Sequence, residues 1–131
     1  MFKYSKYSIR SLFLIDAFGA LLSFLLSGLV YPSFSSFFGI DSWIFKTFAM
    51  LALTFLIFDL TIYFKVFHIR KWMVETIIFF NLSYCVLNAL LMWLLPNITN
   101  LGLVLLLVEN LVIISIVFFE VKLFQSNKYL E

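Results

Sequence analysis

Glu109 is the residue of this chain best placed to do chemistry. It lies in the apolar run 101–122, eight residues past its start, which is about 12 Å deep at about 1.5 Å per helical residue. An ionised carboxylate at that depth in lipid costs on the order of 2.5–3.5 kcal/mol, so the side chain must turn inward and find a donor. Asn81, Tyr84 and Asn88 offer donors at i, i+3 and i+7 on one face of the preceding run, with Cys85 at its edge. Antiparallel packing sets Asn88 level with Glu109, because both stand a similar distance from the turn that joins the runs. Two chemistries fit these four residues. One is a hydrogen-bonded clasp between helices, at about 0.6–2 kcal/mol per bond. The other is a ligand or proton site built from the same groups.

A second set of polar residues falls near the basic ends of the runs. Asp16, Asp59, Glu75 and Glu120 occur one per run, with Arg10, Lys65, Arg70 and Lys71 at the same level. Long basic side chains can snorkel while neutralising acids, so Asp16, Asp59, Glu75, Glu120, Arg10 and Arg70 read as an ion-paired polar collar. A divalent cation is the competing occupant, since hard cations favour several carboxylates, but the surrounding positive charge argues against any metal. Gly102, Glu109 and Glu120 share a face of the last run. On the first run, Asp16, Gly19, Ala20, Ser23 and Ser27 fall within about 40° of one line at about 100° per residue. This small-residue stripe suits close helix packing; a substrate path along it is the alternative.

The elements that must carry these groups are legible. Four apolar runs, at about 12–31, 43–64, 72–95 and 101–122, each reach the ~20 residues that a membrane crossing needs. Pro32 is expected to end the first and to open a loop over 33–42. Asp41 or Ser42 can cap the second. Pro96-Asn97-Ile98-Thr99-Asn100 is a turn signal that divides the uncharged stretch 76–108. Trp43, Trp72 and Trp93 all stand within a few residues of a run's end, where amphipathic indoles meet the headgroups. Continuous runs exclude a β-barrel, which needs alternating strands.

Composition agrees. Charged residues make up 12% and hydrophobic residues 64% of the chain, against about 25% charged in soluble domains. The first run could imitate a secretory signal, but its 20 residues exceed the usual ~7–15 residue core. It also contains Asp16, and is expected to stay uncleaved.

Basic residues set the orientation. Lys3, Lys6 and Arg10 precede the first run, Lys65, Arg70 and Lys71 separate the second and third, and Lys122 and Lys128 follow the fourth, leaving Lys46 alone on the other side. Short basic loops stay cytoplasmic. Residues 1–131 are therefore expected to form one domain, an all-α integral membrane four-helix transmembrane bundle with both termini in the cytoplasm (N-in/C-in).

Much is excluded. The net charge of +2 asks for no nucleic-acid partner. One Cys precludes an internal disulfide or a thiolate cage, and one His argues against an all-protein zinc or haem site. No Gly-x-Ser-x-Gly, His-Glu-x-x-His or phosphate-binding glycine loop occurs. The expectation is a protein without cofactor or enzymatic activity.

Ile15-Asp16-Ala17-Phe18-Gly19-Ala20-Leu21-Leu22-Ser23, Phe37-Phe38-Gly39-Ile40, Asn81-Leu82-Ser83-Tyr84-Cys85 and Val108-Glu109 together resemble a group of small bacterial four-span membrane proteins of uncharacterised activity. Those proteins share an Ile-Asp-x-x-Gly-Ala-x-x-Ser first helix, an Asn-x-x-Tyr third helix and an acidic fourth helix. The resemblance implies a bacterial cytoplasmic (inner) membrane and one recurring constellation of Asp16, Asn81, Tyr84 and Glu109. Asp41 stands where that group usually has Pro. Small multidrug resistance transporters are set aside because their essential Glu is on the first helix. Vitamin K epoxide reductase-like proteins are set aside because they need paired cysteines.

The expected function is a non-enzymatic bundle in the lipid bilayer, binding a membrane protein partner or a lipid-like ligand through Glu109, Asn88, Tyr84 and Asn81. The alternative is a homodimeric proton-coupled transporter of a small lipophilic solute, using Glu109.

Overall fold

The computed structural model describes residues 6–126; Lys3 and Lys128 of the basic clusters lie outside the described residues. The chain forms α1 (Lys6–Leu25), a short α2 (Ser35–Phe38), α3 (Ser42–Lys65), α4 (Lys71–Leu94) and α5 (Asn100–Ser126), with no strand among the described residues. Four stretches, Ile9–Phe38, Ser42–Lys65, Lys71–Leu94 and Asn100–Gln125, are long and apolar enough to cross a membrane. The protein is an all-α four-helix transmembrane bundle.

The first span differs from expectation at Pro32. Rather than ending there, the chain stays helical through a π-turn over Leu26–Val30 and a 3-10 turn over Tyr31–Phe34. The physical reason is local. A proline ring lacks the N–H that would bond the carbonyl four residues back, and it collides with that carbonyl. The preceding turn is widened, the Tyr31 N–H bonding the Leu26 carbonyl five residues back, and Pro32 then sits in the first turn of the next segment, where its missing donor costs nothing. Gly39, at φ 67, finally stops α2 in the left-handed conformation. Asp41 occupies the N-cap position of α3 without a side-chain cap bond.

Side chains are distributed inside out relative to a protein built for water. Leu29, Phe64, Phe79 and Leu94 are among many exposed large apolar residues, whereas Asp16, Ser27, Asp59, Asn88, Asn110 and Glu120 are buried. Lipid requires no polar cover on the outer surface, so polar groups collect where helices can satisfy them. Trp43, Trp72 and Trp93 stand exposed within the first two or last two residues of their helices.

α1 packs against α3 and α4 against α5, giving two antiparallel pairs. At the basic end, Ile9, Leu12 and Phe13 of α1 meet Ile62, Met73, Val74, Ile77 and Leu123 in one apolar core. At the opposite end a second core gathers Ile40, Ile44, Phe45, Phe48, Tyr84 and Leu106. There the pairs also interlock through backbone. The Thr99 amide donates to the Phe38 carbonyl at 3.0 Å, and the Thr99 hydroxyl donates to the Phe37 carbonyl at 2.6 Å. A Cβ on Gly102 would collide with the Phe38 carbonyl, and one on Gly39 with backbone at Asn97. These two glycines let the α2 segment dock on the α4–α5 turn.

Candidate functional site

Between the two apolar cores, the polar residues form two layers. The layer nearer the basic end takes one residue from each long helix. Asn81 of α4 donates to Asp16 of α1 at 3.0 Å and to Glu120 of α5 at 2.8 Å. Asp59 of α3 faces both acids and is wholly buried, as is Glu120. Neither oxygen of Asp59, nor Oε2 of Glu120, receives a hydrogen bond. The Asp16–Asp59 approach is a carboxyl–carboxyl contact that only an added proton could turn into a hydrogen bond.

This layer departs from the expected collar. Glu75 lies outside it, exposed, and 3.9 Å from Lys71. Six residues separate it from Asn81, about 9 Å along the helix, so α4 contributes the amide and not the carboxylate. Arg70 is exposed at the start of α4. Arg10 spends its donors elsewhere: it bonds the carbonyls of Tyr63 and Val66 at 2.7 Å each, and that of Phe67 at 3.1 Å. The last carbonyls of a helix lack partners and carry its negative dipole end. They suit a forked guanidinium better than Asp16, which is more than a turn deeper. Among the described residues no Lys or Arg forms an ion pair with Asp16, Asp59 or Glu120.

Above this layer lies a cavity of about 90 Å³. Asp16 and Asn81 form its floor, Gly19, Ala20 and Ser23 one wall, and Phe55, Ile113 and Ile116 line it further, with Tyr84 at its far side. The small-residue stripe of α1 therefore divides in two. A Cβ on Gly19 would meet nothing within 4 Å, whereas one on Gly28 would rest 3.4 Å from Ala49. The outer part of the stripe is a packing contact with α3, and the inner part lines open space.

The second layer surrounds Glu109, which turns inward and is half-buried. Asn88 donates to Oε2 of Glu109 at 3.3 Å and to Oδ1 of Asn110 at 3.0 Å. Asn110 in turn donates to the Cys85 carbonyl at 3.2 Å. The Tyr84 hydroxyl lies beside Ser27 and Glu109, held by ring contact with Phe48 at 4.9 Å. A small void of about 10 Å³ separates Ser27, Tyr84 and Glu109, about the size of one water. Tyr84 thus borders both this void and the larger cavity.

The four residues expected around Glu109 do not all meet. Asn88 and Tyr84 do, but Asn81, two helical turns away, belongs to the acid layer. Asn110, Ser27 and Tyr31, which stands within electrostatic reach of Glu109, are members that sequence reasoning missed. A polar residue next to Glu109 in an otherwise apolar run was the available signal for Asn110. Among the described residues, no three His, Cys, Asp or Glu side chains converge as metal ligands. The chain matches no protein-family model, no curated protein and no solved structure at significant similarity.

Proposed function

We propose that this protein is a non-enzymatic bundle of a bacterial cytoplasmic membrane that binds a lipid-like ligand between its two helix pairs. The observation carrying this reading is the cavity over Asp16 and Asn81. Apolar walls with a few convergent polar groups are the usual make-up of a small-molecule site, and ionisable residues inside a membrane mark function by default. The test is to purify the protein from native membrane and analyse the extract for a bound small molecule. Wild type carries a compound that Ser23→Leu, which fills the cavity, loses. Equal yields from both proteins reject the reading.

Both termini lie in the cytoplasm on this proposal, supported by Arg10, Lys65, Arg70 and Lys71 at one end and Lys46 at the other. In a Cys85→Ser background, Ile98→Cys reacts with an impermeant maleimide on intact cells, and His68→Cys reacts only after permeabilisation. The reverse pattern inverts the topology.

A second reading, a homodimeric proton-coupled transporter, is favoured by Tyr84, which borders both voids and so links the acid layer to Glu109. A solute that drives proton release equally from wild type and Glu109→Gln ends it.

A further inference from the structure

The acid layer is short of donors. Asp16, Asp59 and Glu120 bring six carboxylate oxygens, and among the described residues the side-chain donor serving them is one amide, Asn81, which spends itself on Asp16 and Glu120. Asp59, with no exposed surface, accepts nothing at either oxygen, and it is aimed at the other two acids. Buried carboxylates in a low-dielectric interior are matched by a counter-charge, by donors or by an added proton, and an ammonium group brings the first two at once. Neither of those two comes from Arg10, whose guanidinium is committed to the end of α3, nor from Glu75's partner Lys71, which is exposed. The cavity opens directly on this layer through Asp16.

We infer that the ligand of this cavity is an organic ammonium, its charged head on Asp16 with Asp59 and Glu120 behind, and its hydrocarbon against Phe55, Ile113 and Ile116. This rests on the cavity being a ligand site, and it names the chemistry of that ligand. Ammonium N–H groups supply the missing donors and the missing positive charge together. A divalent metal is a poorer match, because the acids do not converge as metal ligands among the described residues. At about 10–15 Å³ for each water-sized volume, about 90 Å³ holds the head and several carbons. The remaining chain leaves past Val112, which lines the cavity and is exposed on the outer surface.

The test compares octylammonium, octanol and octanoate on the protein in nanodiscs of neutral lipid, with empty nanodiscs subtracted. Octylammonium binds at least about tenfold more tightly than octanol, octanoate does not bind, and Asp59→Asn and Asp16→Asn each remove most of the preference. Ser23→Leu abolishes binding of octylammonium. Octanol binding as tightly as octylammonium, and lost in Ser23→Leu, overturns the charge assignment while leaving the ligand site intact. A preference for octylammonium that persists in both Asp variants overturns the assignment to these acids. Failure of all three probes to bind, with native extracts still yielding a cavity-dependent compound, overturns the ammonium alone. Failure of both experiments overturns the site itself. Thermal melting of each variant, read without probe, separates loss of binding from loss of fold.

Discussion

The amide of Asn81 reaches Oε1 of Glu120 at 2.8 Å, and this bond ties α4 to α5 in the middle of a layer made otherwise of acids. Its second hydrogen goes to Asp16 of α1, so one side chain joins the two helix pairs. Replacing it leaves two buried carboxyls without a side-chain donor among the described residues.

Asn81→Leu should therefore be the most damaging conservative-volume change in the bundle. The expected loss is about 2–4 kcal/mol, the cost of stripping donors from buried acids. Reversible unfolding by sodium dodecyl sulfate in mixed micelles reads it. A loss below that of Thr54→Val, whose hydroxyl bonds only its own helix, would contradict the layer's importance.

The glycines separate into two kinds. Gly39→Ala and Gly102→Ala should each cost at least about 2 kcal/mol, the first from its positive φ and both from collision with backbone. Gly19→Ala, which meets open space, should instead stabilise by about 0.5–1 kcal/mol, because alanine loses less backbone freedom in a helix. The same unfolding assay compares all three.

Arg10→Lys tests whether shape or charge holds the end of α3. A lysine keeps the charge but cannot fork between the Tyr63 and Val66 carbonyls. It should recover less than half of the about 1–3 kcal/mol lost in Arg10→Ala. Amide hydrogen exchange at Val66, which donates to Ile62 at the end of α3, should accelerate in both.

Glu109→Gln should stay within about 0.5 kcal/mol of wild type, since the amide oxygen still accepts from Asn88. Asn110→Leu should cost about 1–2 kcal/mol by removing the bonds to Asn88 and to the Cys85 carbonyl. If Glu109→Gln proves as costly as Asn110→Leu, the carboxylate has a partner that Asn88 alone does not explain.

The spans were legible because lipid tolerates long uninterrupted apolar runs and the tryptophans mark their ends. α3, expected over 43–64, runs over Ser42–Lys65. Pro32 misled, since a proline breaks an α-helix but not a chain that widens into a π-turn first. The helical face of Asn81, Tyr84 and Asn88 was legible as a face. Its division was not, because periodicity gives angle around a helix and says nothing of which neighbour stands at each height. Seven residues carry Asn88 about 10 Å from Asn81, far enough to serve another layer. The collar failed for a different reason. Arg10 and Asp16 look like partners by charge, but backbone carbonyls, invisible in a list of side chains, take the guanidinium first.

The backbone hydrogen bond from the Thr99 amide to the Phe38 carbonyl fastens the two hairpins at one rim. At the far rim the connection 66–70 joins α3 to α4 covalently, so the two hairpins are tethered at both ends. Asp59 and Glu120 lie between these two ties, wholly buried. A bundle tethered at both rims leaves its flank, where Val112 lines the cavity and is exposed, as the way in for a ligand.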